Sequence, residues 1–143
     1  MDIYEKQRRT FSTVTVLVLG SVVSLIAVIP VLIEETNTGS LPMSAPIATS
    51  VGAGIHLLIF IVFLIARWQA LRSRRINRGI NLVSAIVLLI FGLIISDGAF
   101  AYINSLRFVS VFMFLCVGCD LAAAIVLMAS YFKLRPKKKK QPE

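Results

Sequence analysis

Residues 11–33 read FSTVTVLVLGSVVSLIAVIPVLI, running from Phe11 to Ile33 without one Asp, Glu, Lys or Arg. A helix needs about 20 mostly apolar residues to cross the hydrocarbon layer of a bilayer, and this stretch supplies them. Working outward, similar stretches recur at Ile47 to Ala66, Gly79 to Ser96 and Phe108 to Phe132, the last interrupted only by Asp120, with the chain's other charges gathered outside them. Backbone groups without water must pair within their own segment, and the apolar/polar alternation of a membrane barrel is missing, so each stretch is predicted to be a helix. The expected fold is an all-α membrane protein with four transmembrane helices.

Composition agrees. Of 143 residues, 57% are hydrophobic and 15% charged, and the mean hydropathy is +0.86, outside the balance of a soluble domain. The first span follows Lys6, Arg8 and Arg9 in the manner of a signal peptide. It is too long for an apolar signal core and has no small-x-small cleavage pattern before Glu34 and Glu35, so it reads as a retained span.

Fourteen of the fifteen basic residues fall on one side of these spans: Lys6, Arg8 and Arg9; Arg67, Arg72, Arg74, Arg75 and Arg78; Lys133, Arg135, Lys137, Lys138, Lys139 and Lys140. Arg107 alone lies on the other. The positive-inside rule makes the basic side cytoplasmic, with both termini in. The expected order is a cytoplasmic segment at 1–10, spans at 11–33, 47–66, 79–96 and 108–132, outer loops at 34–46 and 97–107, a basic loop at 67–78 and a polybasic tail at 133–143. The +8 net charge is thereby explained by topology. No nucleic-acid module or base-stacking patch accompanies it, so no nucleic acid is expected as partner. The tail cations from Lys133 to Lys140 are candidate contacts for anionic lipids.

Small and weakly polar residues mark helix contacts in membranes, because lipid-facing positions accept any large apolar side chain. By that rule the inward seams are Thr13, Leu17, Gly20, Ser24, Ala27 and Val31 in span one; Thr49, Gly52, His56, Ile59, Phe63 and Ala66 in span two; Asn81, Ser84, Leu88, Phe91 and Ile95 in span three; and Met113, Cys116, Asp120, Ala123, Leu127 and Ser130 in span four. Their alternating spacings of three and four predict a left-handed up-down-up-down bundle with short connections. Pro30 is expected to kink or fray the last turn of span one.

Two ionisable residues lie deep within the spans. At 1.5 Å per residue, His56 and Asp120 are roughly 14 and 18 Å from the outer surface, both near the midplane. A lone carboxylate there is costly, which makes the two a candidate polar pair and suggests a hydrogen-bonded lock ahead of an ion or proton relay. Whether they meet depends on the helix arrangement, since spans two and four are diagonal in an up-down bundle. Asp97 and Arg107, at the outer helix ends, read as an exposed ion pair.

Cys116-Val-Gly-Cys119 contains the only two cysteines. With Asp120 and His56 they could be drawn as zinc ligands, but a rigid helix spaces them poorly and a midplane site has no entry path, so no metal or cofactor is expected. The stretch from Cys116 to Arg135 resembles span four of the vitamin K epoxide reductase family, which carries a CxxC in a four-helix bundle of similar size with a basic tail. That resemblance implies thiol redox chemistry at Cys116 and Cys119. The family's relay uses a second cysteine pair in the loop after span one, and residues 34–46 contain no cysteine. The tetraspanning topology is similar to that of MARVEL proteins. Small multidrug transporters also have four spans, but their carboxylate is a Glu in the first.

The function expected first is a non-enzymatic membrane organiser, trafficking or assembly factor, with no catalytic residue, acting through the bilayer and contacts with other membrane proteins or itself. The second is a small oligomeric transporter or channel using Asp120 and His56; the third is a membrane thiol oxidoreductase. The plasma membrane and secretory-pathway membranes are the expected locations.

Overall fold

The computed structural model describes residues 3–73 and 78–133. Arg74, Arg75, Arg135 and Lys137 to Lys140 lie outside the described residues. Four helices make up the fold: α1, Ile3–Asn37; α2, Ser44–Ser73; α3, Arg78–Ala101; and α4, Arg107–Lys133. All four are long and apolar enough to cross a membrane, so the chain is a multi-pass membrane protein. The helices outrun the apolar stretches. α1 starts eight residues before Phe11, because Glu5, Lys6, Gln7, Arg8 and Arg9 are good helix formers and the backbone ladder need not stop where the hydrocarbon does.

Pro30 lies inside α1, and the helix runs on to Asn37. The break comes at Gly39, whose φ of 82° is the left-handed conformation that a side chain resists. The amides of Thr38 and Ser40 donate back to the carbonyls of Glu34 and Glu35 at 3.1 and 3.0 Å, closing the last turn. α2 opens with Pro46 in its first turn, where no helical partner exists for the missing N–H. Between α3 and α4, the Ser110 hydroxyl donates to the Ala99 carbonyl at 2.8 Å, tying one helix start to the other's end.

α1 and α4 are the two inner helices of the packing order. α1 packs against both α2 and α4, while α3 packs against α4. Phe11 near the start of α1 meets Phe63 near the end of α2, with ring centroids 5.5 Å apart. α3 approaches α4 closely because its inward positions Ala85, Gly92 and Ala99 are small; a Cβ on Gly92 would lie 3.9 Å from the Asp120 Cβ. α2 and α3 do not pack closely against each other, and a cavity of about 190 Å³ separates them, lined by Ala48, Thr49 and Gly52 on one side and by Phe91, Ile94 and Gly98 on the other.

All six seam residues of span four are buried, and those of spans two and three are buried or half-buried. Span one differs. Ser24 of the expected seam is buried and Leu17 half-buried, but most of the buried positions, Phe11, Val14, Val18, Ser21, Leu25, Val28 and Leu32, fall one residue later than that seam. Between α2 and α4, α1 buries a broad face. Gly20, Ala27 and Val31 sit at one edge of that face and are half-buried, and Thr13 is exposed.

Candidate functional site

A hydroxyl in an apolar helix has an easy partner in the carbonyl four residues back. Thr13, Thr15 and Ser24 of α1 and Thr49 and Ser50 of α2 all donate there. Ser21 behaves differently. Its Oγ is 3.4 Å from both the Leu17 and the Cys116 carbonyl oxygens, but 2.7 Å from Asp120 Oδ1, to which it donates across the α1/α4 interface.

The same carboxylate meets His56. Nε2 of the imidazole is 3.0 Å from Oδ1 and 2.8 Å from Oδ2 of Asp120. Ser21, His56 and Asp120 are each fully enclosed, at 0% exposure. The other ring nitrogen fixes the chemistry. Nδ1 is 2.7 Å from the Gly52 carbonyl oxygen, which can only accept, so Nδ1 carries a proton and donates it. A single further proton lies between Nε2 and Asp120, giving either a neutral imidazole with a carboxylic acid or an imidazolium with a carboxylate. Both forms leave the pair neutral overall, which is how a carboxyl group can sit at this depth.

Packing sets the position of the ring. Phe91 of α3 lies edge-on to it, with centroids 5.6 Å apart. Apolar layers enclose the network at both ends. Toward the end carrying Lys6 and Lys133 lie Val14, Val18, Phe63, Leu88 and Leu127. Toward the opposite end come Leu25 and Ala53, then Val28, Leu32 and Met113.

Of the four residues considered as metal ligands, three come together: the ligand atoms of His56, Cys116 and Asp120 lie within 4.8 Å of one another. Their donors are already engaged, because Cys116 Sγ approaches Asp120 Oδ2 at 3.9 Å and the His56–Asp120 contact occupies the remaining edge. Cys119 turns elsewhere, its Sγ only 3.2 Å from where a Gly20 Cβ would be. The CxxC thiols thus serve different surroundings, one beside the carboxylate and one against α1, and both are free.

His56–Asp120 is the one contact of ion-pair length among the described residues. Asp97 and Arg107, expected as an outer pair, are exposed and not joined. Solvated ends of two helices gain little from holding long side chains in one geometry. Lys133, the one tail cation within the described residues, is exposed at the end of α4.

Two buried polar residues stand apart from this network. Gln7 and Asn81 are 1% and 0% exposed, and among the described residues neither amide has a hydrogen-bond partner. Asn81 was legible as a seam residue. Ser21 and Gln7 were missed: the first was lost with the register of α1, and the second lies before the apolar stretch begins. Extending the spacing of Val14, Val18 and Ser21 back through Phe11 reaches Gln7 and would have found both. No known family's sequence profile, no curated protein and no solved structure matches the chain.

Proposed function

We propose that this chain is a non-enzymatic tetraspanning membrane protein that organises, traffics or assembles other membrane proteins through helix–helix contacts. Its four helices form a left-handed up-down-up-down bundle with both termini cytoplasmic, in the plasma membrane or a secretory-pathway membrane. The orientation rests on the basic asymmetry of the sequence.

The observation that carries this reading is the outward face of α2. α1 is its main packing partner, and Ile47, Val51, Gly54, Leu58, Ile61, Ile65 and Trp68 are exposed along it with spacings of three and four. That is the geometry of a second helix seam, left unused within the chain. Gly54 lies at its middle, and a Cβ there would meet nothing within 4 Å. Relative to alanine, glycine costs a helix roughly 1 kcal/mol, and facing lipid it returns nothing. Against another helix it permits close approach of the backbones. Gly118, on the exposed side of α4, is a second such position.

The direct test is co-purification from gentle detergent. Wild-type protein retains a stoichiometric membrane partner or a second copy, and Gly54→Leu, which fills open space and leaves the bundle intact, releases it. Retention of the same partner by Gly54→Leu, or its absence from wild type, contradicts the proposal.

A second reading has one observation in its favour. The proton shared by His56 Nε2 and Asp120 is the kind of group a proton relay uses. The apolar layers on both sides of it count against a route through one chain. A correctly folded and sorted Asp120→Asn protein that has lost all activity would favour the relay, since an amide cannot pass on the proton.

A further inference from the structure

At the basic end of the bundle, the first turns of α1 and the last turns of α4 do not close on each other. A cavity of about 780 Å³ lies between them. Lys6 and Arg9 of α1 and Lys133 of α4 stand around it, all exposed. Among the described residues no carboxylate lines it, and none of the three cations is in an ion pair. Inside, Gln7 contributes an amide that is 1% exposed, with Nε2 and Oε1 both unpartnered among the described residues. A primary amide is seldom enclosed without hydrogen bonds, and one in this state calls for a ligand that offers its N–H an acceptor. Below the cations the walls are apolar, with Val126 and Ala129 leading into the membrane-spanning part of α4.

We propose that this cavity is the headgroup site of an anionic glycerophospholipid. Three cations at the mouth suit a phosphodiester and a second negative group, and charge-assisted hydrogen bonds to phosphate oxygens are the strong ones. The ester oxygens of the lipid only accept, so it is Nε2 of Gln7, one layer deeper, that donates to them. An acyl chain then continues along Val126 into the bilayer. A free phosphate would satisfy the cations but leave Gln7 and the apolar wall unused, so the lipid is the occupant. This site is distinct from diffuse attraction of the polybasic tail to the membrane surface, because its preference for an anionic headgroup rests on Lys6, Arg9 and Lys133 and its preference for a lipid over free phosphate on Gln7.

The test uses the full chain, purified in detergent, with bound lipid counted by native mass spectrometry. The probes are phosphatidylserine, phosphatidylcholine and inorganic phosphate. Phosphatidylserine is expected to bind in preference to phosphatidylcholine and to resist displacement by inorganic phosphate. Arg9→Ala and Lys6→Ala are each expected to weaken it roughly fivefold. Gln7→Leu, which removes the amide beside Phe11, should weaken it while leaving the melting temperature unchanged or higher. Replacing Lys137 to Lys140 by alanine should leave the preference in place. Unchanged binding in Arg9→Ala or in a folded Gln7→Leu, loss of the preference on tail replacement alone, or displacement by equimolar inorganic phosphate would each overturn the proposal. Arg9 is on the surface, so its variant decides the matter even if Gln7→Leu fails to fold.

Discussion

Replacing Asp120 is the most informative perturbation of this bundle, because the carboxylate joins three helices at once. Asp120→Leu removes the acceptor of Ser21 at 2.7 Å and the partner of His56 at 2.8 Å. Interhelical hydrogen bonds in membranes average about 0.6 kcal/mol and reach about 1.7 kcal/mol, so losing two costs roughly 1 to 3 kcal/mol. Ser21 can fall back on the Leu17 carbonyl, but Nε2 of His56 is left enclosed and alone. Asp120→Asn behaves differently. With the proton of Nδ1 committed to Gly52, a neutral His56 presents Nε2 as an acceptor. The amide introduced by the substitution donates to it while the new carbonyl oxygen accepts from Ser21, so every group stays paired and the change should stay within about 0.5 kcal/mol. Steric trapping of the doubly biotinylated chain in bicelles measures both values without denaturing the lipid. A Leu variant as stable as wild type would refute the network as a lock. An Asn variant as weak as Leu would show that charge, and not hydrogen-bonding shape, holds the helices.

Other expectations follow from single contacts. Ser21→Ala should cost about 0.6 to 1.7 kcal/mol by the same assay, and the cost should vanish in the Asp120→Leu background because the two residues share one bond. Gly92→Leu should separate α3 from α4 and cost about 1 to 3 kcal/mol, since its Cβ already meets Asp120 and Leu121 at 3.9 Å; thermal melting in detergent reads this, and an unchanged midpoint would disprove the close approach. Combined Cys116→Ser and Cys119→Ala should leave abundance and melting nearly unchanged, whereas a trapped mixed disulfide to another protein would point to redox chemistry. A cysteine placed at Thr38 should react with an impermeant reagent on intact cells, and tags at residues 2 and 141 only after permeabilisation; the reverse at any of them contradicts the proposed orientation.

The helices were legible because apolar length is a strong signal: each long apolar stretch, including the one that carries Asp120, lies within one helix. Their ends were less so, since the bilayer limits hydropathy but not the backbone, and α1 continues through Glu5 and Lys6 at one end and past Pro30 at the other. The seam of span four was readable from Met113 to Ser130 because a helix between two neighbours with one small-residue stripe has a single consistent register. Span one offered two such stripes, and the rule that small residues face inward chose Gly20 and Ala27 over Ser21. His56 and Asp120 announced themselves by charge. Their third partner did not, because a serine satisfied four residues back looks the same in sequence as one that reaches another helix. The unpartnered Gln7 was hidden for a similar reason: glutamine beside lysines and arginines reads as a solvated helix end until a neighbouring helix covers it.

The proposal that α2 carries the working surface is tested most directly by photo-crosslinking in native membranes, with a reactive residue placed in turn along α2 and along the exposed face of α3. The account predicts protein adducts at Val51, Gly54, Leu58, Ile61 and Ile65, with gaps between them at the spacing of a helix seam, and lipid adducts alone at Val83, Ile86, Ile90 and Leu93. Lipid adducts alone along the whole of α2, or protein adducts confined to α3, would contradict it.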